Sequence, residues 1–352
     1  MKIRAFKILL VLLTYAFSAC SEPATKIATS CKYANYFDIV IDSDSTDAKA
    51  VIVISPYNGS RDTLVLNKPL NNIICMSTSQ VAGLAEIGAD SVITAVSGLR
   101  YITNPNLHNR KVYDIGYEAS LDYEQVLKLN PDVLLTYTVS GAEPPYITKL
   151  RSLGVHVLVL HDHLEDHPLA RAEYIRLYGA LTGRQDVADS LFDDISSKYE
   201  SLAAQADANS SKVKALLNVP YGDAWYVPGG DSYMSRLIND AGGEVLGAQQ
   251  GTTSSRVITL EEAYNLSQRA DMWLNPGPCR TIDDLKSFHH AFRMFGPVQK
   301  GLPIYNNTLR TTPEGGNDFW ESGSVRPDLV LEDLISIFSD QEISLKYHFQ
   351  LK

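Results

Sequence analysis

Residues 225–243 read Trp-Tyr-Val-Pro-Gly-Gly-Asp-Ser-Tyr-Met-Ser-Arg-Leu-Ile-Asn-Asp-Ala-Gly-Gly. A short apolar run, Lys214–Val219, leads into an aromatic pair, then a Pro-Gly-Gly turn, then an amphipathic stretch closed by Gly242 and Gly243. Strand, glycine turn and helix start in that order make a loop at the carboxyl end of a strand, where open α/β sheets bind ligands. This loop carries large aromatic side chains instead of a phosphate cradle, which points to a bulky, flat or apolar ligand.

Outward from that stretch, strand-like and helix-like runs alternate. Upstream, the pattern predicts strands at 72–76, 92–96, 133–136 and 155–160, and helices at 81–87, 121–129 and 147–153. Gly88 and Gly154 stop two of these helices. Downstream it predicts helices at 233–241, 260–266 and 328–338 and strands at 214–219, 272–274 and 304–306. Such alternation implies parallel sheets with helices on their faces. Between the two halves, Val187, Leu191, Ile195, Tyr199 and Leu202 form one apolar stripe. A helix of about twenty residues spans about 30 Å, enough to bridge two lobes. The short β runs at 37–41, 50–54 and 63–66, with Asn58-Gly59 as a hairpin turn, form a small N-terminal β extension. The expected organisation is therefore α/β, two α/β lobes with parallel sheets joined by a single long bridging helix. Residues 1–19 are a signal peptide, 20–70 the extension, 71–167 the first lobe, 168–211 the helical connection and 212–345 the second lobe.

Lys2, Arg4 and Lys7 precede the apolar run Ile8–Leu13, the layout of a secretion signal. Phe17-Ser18-Ala19-Cys20 resembles the lipobox of bacterial lipoproteins, which makes Cys20 the expected lipidation site and a membrane anchor. Removal of 1–19 would move the formal charge from −10 to −13. An acidic chain without a basic cluster argues against nucleic-acid partners. Of the other cysteines, Cys31, Cys75 and Cys279, an oxidising compartment permits one bridge, with Cys31–Cys75 the expected pair. No Gly-x-Ser-x-Gly, phosphate-binding loop or His-Glu-x-x-His occurs, so no enzyme activity is expected. His161, His163 and His167 form a separate constellation that could hold a zinc or manganese ion directly.

Several phrases, in order, resemble the class III periplasmic binding proteins, the substrate-capturing subunits of ABC importers for vitamin B12, ferric siderophores and haem. They are Met76-Ser77-Thr78-Ser79, Asp114-Ile115-Gly116-Tyr117, Asn130-Pro131-Asp132-Val133-Leu134-Leu135, the 225–243 stretch, and Asp271-Met272-Trp273-Leu274-Asn275-Pro276-Gly277. The resemblance spans about residues 70–340, excludes the β extension, and implies a monomer held at the periplasmic face of the cell envelope. It implies a large metal chelate, a ferric siderophore or a corrinoid, taken between two lobes and passed to a permease and its ATPase, with no cofactor of the protein's own. Haem is the alternative chelate, and direct Zn or Mn binding by the histidines the alternative mode.

Strand ends nominate the ligand contacts: Arg100, Tyr101, Tyr117 and Tyr137 in the first lobe, and Trp225, Tyr226, Tyr233 and Asn275 in the second. Arg256 and Arg310 are further candidates for anions. Phe319 and Trp320, in a glycine-led loop before the closing helix, would form one wall of the cleft. The resemblance also implies one docking acid per lobe. The first-lobe position falls on Ala82, which leaves Glu86 one turn later; the second falls beside Asp240 and Glu244.

Overall fold

A computed structural model of the chain describes residues 31–41, 48–207, 211–341 and 344–352. Cys20 and the signal segment lie outside the described residues. The β extension is an antiparallel meander of β1 (Phe37–Ile41), β2 (Ala48–Ile54) and β3 (Arg61–Val65). Phe37 pairs with Val53 and Ile39 with Val51, and all four are buried. Because side chains alternate across a strand, that register gives the sheet one apolar face. The face packs on the helix Pro168–Thr182, where the Phe37 and Tyr174 rings lie 4.7 Å apart. Gly59 takes φ 71 in the predicted turn.

The first lobe is a five-stranded parallel sheet of β4 (Ile73–Cys75), β5 (Ile93–Val96), β6 (Tyr113–Asp114), β7 (Val133–Tyr137) and β8 (Val157–Leu160), in the order β6-β5-β4-β7-β8. Ile73 and Cys75 enter the large core while Ile74 enters a smaller one on the other face. A sheet covered on both faces needs such unbroken apolar strands. The Asn-Pro-Asp phrase has a structural role here. Asn130, at φ 46, ends the helix Tyr123–Leu129, and the Asp132 carboxylate accepts from Asn71 N and Asn72 N at 2.9 and 3.0 Å, fastening the entry to β4. The first helix begins at Thr78, three residues earlier than predicted, because Ser77 and Gln80 form a capping box.

The helical segment after Pro168 divides at Gly183, φ 67, into Pro168–Thr182 and the long helix Gln185–Asp207. The first of these is nearly all buried. It touches the helix Thr78–Glu86 of the first lobe and the helices Tyr233–Asp240 and Ser322–Val325 of the second, while the long helix packs along it and against Pro327–Phe338. Gly83 permits the close approach, since a Cβ there would sit 2.1 Å from the Tyr178 ring.

The second lobe holds β9 (Val213–Leu217), β10 (Trp225–Val227), β11 (Gly243–Val245), β12 (Arg256–Ile258), β13 (Met272–Leu274), β14 (Ile304–Asn306) and β15 (Phe349–Gln350). Its sheet runs β11-β9-β13-β14-β15, parallel except for β15, and β10 and β12 form a separate antiparallel ribbon. The lobe therefore extends past the expected boundary at 345: β15 closes the sheet and Leu351 is buried. Cys75 is a free, buried thiol, so the expected Cys31–Cys75 bridge is not made; the Cys31 thiol instead donates to the Phe37 carbonyl at 3.6 Å.

Candidate ligand cleft

Among the described residues the lobes meet at several places, and two of these contacts flank the strand ends. On one side, loop 99–104 of the first lobe meets loop 310–321 of the second. Thr103 N and Asn104 N donate to the Glu321 carboxylate at 2.7 and 3.0 Å, and Thr103 Oγ1 donates to Asp318 at 2.9 Å. Glu321 is 2% exposed, and burial pushes its carboxyl up to about 7 despite the two amides. On the other side, the Arg171 guanidinium lies 3.9 Å over the Tyr233 ring, and Arg236 reaches Asp166 at 3.5 Å. The first contact lies beyond β5 and β14 and the second beyond β8 and the helix Tyr233–Asp240, so the carboxyl ends of the middle strands β4, β7, β9 and β13 lie between them. That edge is where parallel sheets bind ligands.

In the first lobe this edge carries a tyrosine–arginine cluster. The Tyr101 and Tyr117 rings lie 6.4 Å apart, and the Arg100 guanidinium is 4.9 Å over Tyr101. The Tyr117 hydroxyl and both phenols hold the Arg100 pKa above its usual value. Tyr117 is 43% exposed. The Asp114 carboxylate shapes the loop by accepting from Gly98 N, Leu99 N and Gly116 N at 2.9–3.0 Å. Gly98 stands at φ 73, and a Cβ there would lie 2.6 Å from the Tyr117 hydroxyl. A cavity of about 640 Å³ crosses between the lobes here, lined by Arg100 and Thr103 on one side and Thr312, Pro313 and Glu314 on the other. Tyr137 ends β7 half-buried, its ring 5.7 Å from His163.

Across the cleft, Asn218 and Asn275 leave β9 and β13 in the left-handed conformation, φ 67 and 56, which asparagine tolerates better than other side chains. Asn275 is buried, and its Oδ1 has no hydrogen-bond partner among the described residues. Asn218 escaped the sequence reading because the predicted strand ran to Val219, whereas the strand ends at Leu217. Tyr226 is 46% exposed, and its carbonyl accepts from Asn218 Nδ2 at 3.4 Å. Trp320 is also exposed.

Five expected contacts are structural instead. Trp225, 1% exposed, packs against both Trp273 and Phe295, at 6.0 and 5.9 Å, and its indole N–H donates to the Leu217 carbonyl at 3.0 Å. Phe319 is buried edge-on against Trp320, Tyr347 and His348. Tyr233 is buried beneath Arg171. Arg256 is held by the Gly247 carbonyl and Glu262, and Arg310 by Asp318 with Tyr347 beneath it. The histidines also part. His161 is 4% exposed between Tyr36 and Tyr57, and burial pushes its pKa down to about 4. His163 faces Tyr137, and His167 Nδ1 accepts from Leu169 N at 3.1 Å to cap a helix. Among the described residues no three His, Cys, Asp or Glu side chains converge on a metal site.

Residues 73–286 match the family described as Periplasmic binding protein. The chain belongs to that family. An uncharacterised lipoprotein of Methanocaldococcus jannaschii is 24% identical over 302 residues, covering 82% of this chain and 70% of the relative. Among solved structures, a periplasmic haem-binding protein of Pseudomonas aeruginosa superposes with a TM-score of 0.60 at 18% identity, over 80% of this chain and 98% of that one. A periplasmic vitamin B12-binding protein of Vibrio cholerae gives 0.58 at 14% identity, over 77% and 98%. A periplasmic binding protein of Veillonella parvula gives 0.61 at 14% identity, over 83% and 99%. These likenesses confirm the two-lobed class III fold.

Two of the three docking acids expected of this periplasmic binding protein are already engaged. Glu86 pairs with Arg326 at 3.3 Å, and Asp240 accepts from the Tyr199 hydroxyl at 2.6 Å. Glu244, half-buried on the edge strand β11, makes no ion pair among the described residues.

Proposed function

We propose that this chain is the lipid-anchored ligand-capturing subunit of an ABC importer, and that its ligand is a tetrapyrrole-type metal chelate, a corrinoid or haem. The observation that carries the choice is the rim itself. Of Arg100, Arg256 and Arg310, only Arg100 stands without a carboxylate partner among the described residues, whereas Tyr101, Tyr117 and Tyr226 present aromatic surface. A multiply charged ferric siderophore would call for several uncommitted cations; a flat macrocycle calls for aromatic faces and one or two polar anchors. In this reading Tyr101 and Tyr117 lie against the macrocycle, and Arg100 meets a peripheral carboxylate or phosphate with a charge-assisted hydrogen bond. If the metal is iron, either phenol can serve as an axial ligand. The lobes, in contact at both ends, close little, so affinity rests on a largely preformed site. Binding is the whole task, and a permease with its ATPase takes the ligand onward.

Absorbance titration of the chain from Ser21 onward with cyanocobalamin, haemin and a ferric siderophore tests this. A saturable band shift with cyanocobalamin or haemin is the expected result. Saturation by the siderophore alone would replace the tetrapyrrole, and no response to any of the three would remove the chelate reading.

A further inference from the structure

The loop that carries Arg100 and Tyr101 is not held by its own lobe alone. Its backbone at Thr103 and Asn104 is bound by the Glu321 carboxylate of the second lobe, two amides on two oxygens. Asp318 takes the Thr103 hydroxyl and is itself paired with Arg310. Gly316 lies so close to Tyr101 that a Cβ would sit 2.1 Å from the Tyr101 carbonyl oxygen. Thus Gly316, Asp318 and Glu321 of loop 310–321 hold Tyr101, Thr103 and Asn104 of loop 99–104. Glu321 is buried with both oxygens occupied, so its loss leaves two amides without their acceptor instead of passing them to water.

We infer that Glu321, seconded by Asp318, is a positioning residue for ligand capture: from the opposite lobe it fixes the loop that presents Arg100 and Tyr101. The inference rests on the proposed role of that rim. It assigns to the second lobe a part in shaping the first lobe's binding wall, without touching the ligand. It also accounts for a cleft that needs little closure, because the two lobes already share this clasp.

The test compares Glu321→Gln with Glu173→Gln in the otherwise intact chain. Glu173 is an equivalent buried carboxylate that accepts from Lys32 N, Tyr33 N and Ala34 N, away from the cleft. It controls for destabilisation alone. Two readouts are taken at a temperature where both variants are folded: amide hydrogen exchange of residues 99–104, and affinity for whichever of cyanocobalamin or haemin the wild type binds. Glu321→Gln is expected to speed exchange in 99–104 and to weaken binding about ten-fold, while Glu173→Gln changes neither. Unchanged exchange in Glu321→Gln overturns the clasp. Faster exchange with wild-type affinity overturns the positioning role, as do equal affinity losses in both variants. If the wild type binds neither chelate, the ligand reading fails, and the exchange readout still decides whether Glu321 holds the loop.

Discussion

Trp225 and Tyr226 are neighbours on one three-residue strand, and alanine at the two positions has opposite expected signatures. Trp225 is 1% exposed and stacks in a cluster with Trp273, Phe292 and Phe295. Truncating a buried tryptophan costs about 3–5 kcal/mol for lost transfer energy and cavity. The Leu217 carbonyl, deprived of its indole donor, adds about 1 kcal/mol. The sum, about 5 kcal/mol, lowers Tm by about 7 °C in a chain of this size. Tyr226, 46% exposed, makes its substitution a surface change worth about 0.5 kcal/mol or less. The assay is thermal unfolding followed by circular dichroism, paired with chelate affinity measured at 15 °C. Trp225→Ala should lose stability and, where folded, bind as wild type; Tyr226→Ala should keep its Tm and bind more weakly. A Trp225→Ala protein with wild-type Tm and lost binding would instead place the indole in the cleft and not in the core.

Gly316→Ala forces a methyl group into the Tyr101 carbonyl, an overpacking cost of about 1–3 kcal/mol, read as a fall in Tm together with weaker chelate binding. His161 gives a pH dependence of defined sign: its folded pKa of about 4 lies below the 6.5 of a free ring, so between pH 6.5 and 4 the unfolded chain binds a proton the folded one refuses. The stability it contributes is therefore full above pH 6.5 and falls as pH drops toward 4. The difference in urea midpoint between wild type and His161→Gln, followed from pH 7 to 4.5, should shift against the wild type as pH falls; a constant difference would contradict the assignment.

The alternation of strands and helices was legible because each element fills its own period, and because Gly88 and Gly154 stand at φ 66 and 85, where a helix ends and only glycine is comfortable. Arg100 was legible from its place after a predicted strand, and Tyr117 from the family phrase Asp114-Ile115-Gly116-Tyr117, although the short strand before it, Tyr113–Asp114, was not. The ribbon β10–β12 was not: strands of three residues are too short to show a period, so the inward turn of Trp225 and the outward turn of Tyr226 could not be told apart. Arg256 and Arg310 looked like cleft cations because their partners, Glu262 and Asp318, are chosen by tertiary packing and not by spacing. The clasp was out of reach for the same reason, since Thr103 and Glu321 stand 218 residues apart.

The central claim is that a chelate is held against the Arg100–Tyr117 rim. The most direct test is the affinity of an Arg100→Ala/Tyr117→Ala double variant for the chelate that the wild type binds. Loss of a charge-assisted hydrogen bond and an aromatic face predicts about 100-fold weaker binding at unchanged Tm, since both side chains are exposed. Wild-type affinity in that variant would contradict the account and move the ligand elsewhere in the molecule.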